Sequence, residues 1–99
     1  MQKAIRGALC ALALALATGA HAMETIKQTM VGCATMPLLR EVIRYSMEGD
    51  IESIKPLLRR GLCVILKEGE KVSVIESDDS YATLRYQGFK LYAQADILR

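Results

Sequence analysis

The sequence predicts a mainly β fold: a small antiparallel barrel carrying one or two short helices. Three observations predict it. From Leu62 onward, four short apolar or alternating segments follow one another with tight turns between them. Before them, Leu38, Leu39, Val42 and Ile43 recur at helical spacing. Two cysteines, Cys33 and Cys63, stand on either side of that helical stretch.

The first 22 residues have the layout of a secretory signal peptide, leaving residues 23–99 as the working domain. Lys3 and Arg6 give a positive start, Gly7 to Ala17 carries no polar side chain, and Ala20-His21-Ala22 offers small residues where a signal peptidase cuts. The apolar run is shorter than the roughly 20 residues a membrane span needs. Cys10 follows Leu9 rather than a small residue, which argues against a lipoprotein. The expected address is the periplasm or the secreted space, with no stable membrane insertion after cleavage.

Cleavage changes the chemistry as well as the address. Of thirteen basic residues, Lys3 and Arg6 leave, and none of the eleven acidic residues do, so the mature domain carries equal numbers of each. A neutral domain has no long-range attraction for nucleic acid or an anionic membrane. His21 is the single histidine, and it leaves too. With it go the commonest general base and the commonest zinc ligand. Cys10 also leaves, and two cysteines in a small exported domain read as one disulfide, Cys33–Cys63.

Met23 to Thr29 is polar and is expected to fray. Thr29 to Thr35 reads as a strand with Cys33 near its end. Thr35 is placed to cap a helix that opens at Pro37, a residue suited to a first turn, and Gly49 is placed to end it. Asp50 is positioned to cap a second, short helix over Ile51 to Ile54, and Pro56 argues against its running further. Then come Leu62 to Lys67, Lys71 to Glu76 with Val72 and Val74 on one face, Tyr81 to Tyr86, and Phe89 to Ala93. Glu68-Gly69-Glu70, Ser77 to Ser80 and Gln87-Gly88 supply the turns.

The stretch from Gly61 to Leu98 resembles the bacterial SH3-like domain family. The residues that carry the resemblance are Leu62 to Leu66, Glu68-Gly69-Glu70, Val72 and Val74, Ser77 to Ser80, Tyr81, Leu84-Arg85-Tyr86, Gly88, Tyr92 and Ile97-Leu98, in that order. The resemblance implies an SH3-like barrel with a helical insertion between its first two strands. Cys33 would sit on the first strand and Cys63 on the second, stapling the barrel across the insertion. It also implies a binding module for cell-wall or protein partners, with hydrolytic residues, where relatives have them, in a separate domain.

The residues themselves favour binding over catalysis. Ser46, Ser53, Ser73, Ser77 and Ser80 have no histidine to activate them and read as turn and surface serines. Glu76, Asp78 and Asp79 form the densest acidic cluster, but their loop lacks the glycine of a calcium loop and suits a plain turn. Glu68 and Glu70 read as a solvated turn, and Arg40 with Arg44 as a solvated helix face. No cofactor or metal is expected. Tyr45, Tyr81, Tyr86 and Tyr92 stand out, because tyrosine joins an apolar ring to a polar tip. Tyr86 and Tyr92 are assigned to the core, which has one Phe and no Trp. By strand alternation Leu84 points inward, so Tyr81 and Arg85 point outward and are the expected ligand-binding residues. The expected function is recognition of a cell-envelope component or another exported protein. The alternative is a small inhibitor or immunity protein of a secreted hydrolase.

Overall fold

The computed structural model describes residues 22–99; the leader read at residues 1–22, apart from Ala22, lies outside the described residues. In order, the elements are β1 (Ala22–Thr25), β2 (Met30–Cys33), α1 (Met36–Met47), α2 (Ile51–Arg59), β3 (Cys63–Leu66), β4 (Lys71–Ser77), β5 (Tyr81–Tyr86) and β6 (Phe89–Gln94). A short 3-10 turn, Ala95–Leu98, follows β6. The fold is therefore mainly antiparallel β with two helices, and the four strands expected after Leu62 lie where the turn residues place them.

The six strands form one sheet in the order β1-β4-β5-β6-β2-β3, with β1 and β3 at its edges. It does not close into a barrel. It is strongly curled all the same. β3 and β4 stand four strand spacings apart, about 19 Å in a flat sheet. Yet they are joined through Lys67–Glu70, a turn in which Glu70 N donates to Lys67 O at 3.1 Å, and the ends of such a turn lie within about 7 Å. Only a sheet rolled around its own core lets so short a turn connect the two sides. Ile26 N donates to Glu70 O and Gly69 N to Ile26 O, both at 2.8 Å, so this turn bridges the seam that a barrel would close with a ladder.

Alternation along the strands separates two cores. The concave face encloses Ile26, Leu66, Val72, Ala82, Leu84, Leu91, Ala93 and Ile97. The opposite face carries Cys33 and Cys63, against which Leu39 and Val42 of α1 and Ile54 of α2 are buried. Gly32, one residue from Cys33, faces the concave core. A Cβ there would stand 2.8 Å from Leu66 Cδ1, so the absent side chain is what lets β2 lie against Leu66.

The cysteine sulfurs lie at disulfide distance, with Cα atoms 4.0 Å apart and both residues fully buried. They face each other directly across the β2–β3 ladder. The neighbouring Ala34 N donates to Leu62 O at 2.9 Å. Cys33 and Cys63 are thus a non-hydrogen-bonded pair, the closer of the two antiparallel pair types and the one whose side chains approach best. The helices lie between these two strands, as expected. Because β1 precedes them, they are the second and third strands rather than the first and second.

Local chemistry sets the helix ends. Thr35 Oγ1 accepts from Leu38 N at 3.3 Å, and Asp50 Oδ1 accepts from Ser53 N at 3.2 Å. Both helices stop in the same way. Gly49 and Gly61 take positive φ of 73° and 74°. The next residue's N–H then reaches back five positions, Asp50 to Tyr45 O at 2.8 Å and Leu62 to Leu57 O at 3.0 Å.

Two expectations need correction. The helix begun at Asp50 does not end at Ile54 but runs through Pro56 to Arg59. Proline there forfeits the single bond to the Glu52 carbonyl, while Ile54, Leu57 and Leu58 pack on the disulfide cluster and hold the helix together. Met23 to Thr29 is not frayed. Ala22–Thr25 pairs with β4, and Ile26 is fully buried. Lys27 N donates to Ile97 O, and Gln28 Nε2 to Asp96 O, each at 2.8 Å. Ile26 has no apolar neighbour at strand spacing within this stretch, and its burial rests on Leu66, Val72 and Ile97, forty or more residues away.

Candidate functional site

A cleft of about 370 Å³ opens where α1 meets the sheet, lined by Met36, Glu76, Ser77, Asp78, Tyr81, Thr83 and Tyr92. Register brings these residues together. On β5, Tyr81 and Thr83 point away from the concave core that takes Ala82 and Leu84. Tyr92 of β6 stands opposite Thr83, and Cys33 of β2 lies on its other side. Tyr81 and Tyr92 are half-buried, with their inner edges against the disulfide and helix cluster.

Glu76 reaches the cleft through an irregularity. Val74 pairs with Leu84, but Glu76 pairs with Thr83, leaving Ile75 as an extra residue. Unbroken alternation would set Glu76 on the face of Val72 and Val74, in the concave core. The bulge shifts the register by one and turns the carboxylate to the other face.

Asp78 is held by the turn it makes. Its Oδ1 accepts from Ser80 N and Tyr81 N, both at 2.8 Å, and its own N–H donates to Tyr81 O at 2.9 Å. Those donors, Tyr81 N first, hold its carboxyl below the ordinary aspartate range. Among the described residues neither Glu76 nor Asp78 is in an ion pair. No group of three or more His, Cys, Asp or Glu side chains is placed to hold a metal ion among the described residues.

Tyr81 and Arg85 share a face, but they do not meet. Three residues lie between them, and four strand rises set them about 13 Å apart. Tyr81 stands opposite Gln94, whereas Arg85 is exposed between Ser73 and Lys90. Tyr81 thus joins Tyr92, Thr83, Glu76 and Met36 in the cleft, and Arg85 lies farther along the same face. Lys90 bridges the two regions, with its Nζ 5.6 Å from the centre of the Tyr92 ring.

The other tyrosines are structural. Tyr86 packs on the concave core and donates its OH to Glu70 Oε2 at 3.0 Å. Glu70 Oε1 accepts from Lys67 N at 2.9 Å. That backbone bond, followed by the Tyr86 hydroxyl, holds the Glu70 carboxyl below its usual range. The Tyr86 phenol is raised in turn, chiefly by its bond to Glu70. Glu70 therefore ties the seam turn to the sheet, beyond the plain solvated turn expected of it. Arg44 pairs with Glu41 at 3.1 Å and Glu48 at 3.7 Å on the outer face of α1.

A second, more apolar hollow of about 300 Å³ lies beside the β5–β6 hairpin, lined by Gly61, Val64, Tyr86, Phe89 and Leu91 among others. Gln87 takes φ 50° in the two-residue turn, and Phe89 beyond it is 70% exposed.

Compared with family models, with characterised proteins and with solved structures, the chain finds no match in any of the three.

Proposed function

We propose that this is an exported, non-enzymatic binding module of SH3-like type, which recognises a cell-envelope component or another exported protein through the cleft at Tyr81. The observation that carries the reading is the cleft lining. Two half-buried tyrosines and a methionine, the residue types that recognition surfaces favour, form a concave surface with a threonine and two carboxylates as its polar groups. The leader at residues 1–22 supports an exported address. The loss of His21 with that leader supports binding over acid–base chemistry. Arg85, on the same face, is where a partner extending beyond the cleft would be met.

The test uses the mature domain, residues 23–99, as bait in envelope extracts, together with co-sedimentation on purified peptidoglycan. Saturable capture that weakens in Tyr81→Leu is the expected result. No capture in either assay refutes the reading.

One observation favours a second function, inhibition of a secreted hydrolase. Phe89 projects at a hairpin tip beside an apolar hollow, a shape suited to plugging another protein's cleft. Stoichiometric inhibition of a lysozyme or amidase, lost in Phe89→Ala, would establish it.

A further inference from the structure

The lining of the cleft matches one kind of side chain in detail. A basic side chain has a long apolar stem and a cationic head, and the two ask for different surroundings. Met36 and the Tyr81 ring supply an apolar wall for a stem. Glu76 and Asp78 supply two carboxylates at the outer end, on β4 and in the turn after it. Asp78 spends Oδ1 on the backbone N–H groups of its own turn, and among the described residues Oδ2 has no protein donor. Arg99, which reaches that turn, is committed elsewhere. Its guanidinium bonds Asp96 at 2.7 Å and the Asp79 carbonyl at 3.0 Å.

One of the two tyrosine rings of the cleft already stands beside a cation, which reaches it from the neighbouring hollow. Lys90, two residues before Tyr92 and on the same face of β6, stands with its Nζ 5.6 Å from the centre of that ring. Its ammonium models in place what an incoming basic group would do at the same ring, and its positive charge competes with that group.

We infer that the cleft takes the basic side chain, arginine ahead of lysine, of an extended segment of a protein partner. This rests on the reading of the cleft as a binding site. Arginine is preferred because a planar guanidinium stacks on a tyrosine face while meeting carboxylates edge-on, which an ammonium cannot do. Lys90 acts as a built-in competitor.

The probe is the peptide acetyl-Gly-Gly-Arg-Gly-Gly-amide, titrated into the ¹⁵N-labelled mature domain and followed by amide shifts. Peptides with Lys or Gln in the Arg position are the comparisons. Saturable shifts centred on Tyr81, Thr83 and Tyr92 are expected, strongest for Arg, weaker for Lys and absent for Gln. Glu76→Gln, an exposed position, should weaken Arg binding about twofold to fivefold, the range of a solvent-accessible charge pair. Lys90→Met should tighten it by a similar factor. Equal shifts with the Gln peptide, or an unchanged affinity in Glu76→Gln, overturn the inference. Envelope capture by wild type that persists undiminished in Glu76→Gln, with no Arg-peptide binding, refutes the ligand class and leaves the binding module standing. Arg-peptide binding with all three signatures but no envelope capture keeps the ligand class and refutes the envelope partner.

Discussion

Replacing both cysteines, Cys33→Ala with Cys63→Ala, removes a crosslink that closes a loop over 30 positions. For a loop of that length, the lost restriction of the unfolded chain amounts to about 3–4 kcal/mol by the chain-entropy argument. The loss of two fully buried sulfurs acts in the same direction. A domain of this size unfolds in urea with a slope of about 1 kcal/mol per molar, so the midpoint should fall by about 3 M. The damage should also be local. The crosslinked pair is the floor on which α1 and α2 pack, whereas the concave core is built from other residues. Native-state hydrogen exchange should therefore show protection falling first in α1 and α2, with β4, β5 and β6 retaining it longer. Reduction of the wild-type domain should lower the midpoint by the crosslink's share of this loss, because both sulfurs stay in place. A loss below about 1 kcal/mol, or exchange rising uniformly across both cores, would refute the reasoning.

Gly32→Ala should destabilise by about 1–3 kcal/mol in thermal melts, because the new methyl meets Leu66 Cδ1 at 2.8 Å and the core has to shift. Asp50→Ala should cost about 0.5–2 kcal/mol by circular dichroism, since it removes the acceptor for both Ser53 N and Ser53 Oγ at the start of α2. The Glu70–Tyr86 bond gives stability a slope at both ends of the pH range. Glu70 has a lowered folded value, so its contribution is full above the ordinary carboxylate range and is lost as pH falls through that folded value. Tyr86 has a raised folded value, so its contribution is full below the ordinary phenol range and is lost as pH rises through the folded value. Tyr86→Phe should remove the Tyr86 share of the alkaline slope of urea midpoints, leaving that of Tyr45, whose phenol is raised chiefly by Glu41, and should flatten the acid slope in part, because Lys67 N still holds Glu70.

What was legible in the sequence was what local chemistry dictates. Thr35, Pro37, Gly49 and Asp50 mark helix ends, and alternation in Tyr81–Tyr86 separates Leu84 from Tyr81 and Arg85. What was not legible depended on distant partners. The bulge at Ile75 is invisible in a plain alternation of KVSVIE, yet it alone brings Glu76 to the tyrosine face. Ile26 and Gly32 gave no pattern, because each is explained by a surface from the far end of the chain. The need to fill a core with one Phe and no Trp points Tyr92 inward, whereas it is half in the core and half in the cleft. The pairing of Thr83 with Tyr92 could have suggested this, since the two-residue turn at Gln87-Gly88 fixes which residues of β5 and β6 face each other.

The segment after β1 lies down on residues 96 and 97, through Lys27 N to Ile97 O and Gln28 Nε2 to Asp96 O. Synthesis makes those acceptors some seventy residues after the donors. While the chain is growing, the stretch around Ala22 and Met23 therefore has no finished surface to dock on. Until then β1, an edge strand paired only with β4, lacks the pinned segment behind it that holds it to the folded domain. The segment behind the first strand is thus made early and fastened only when residues 96 and 97 arrive.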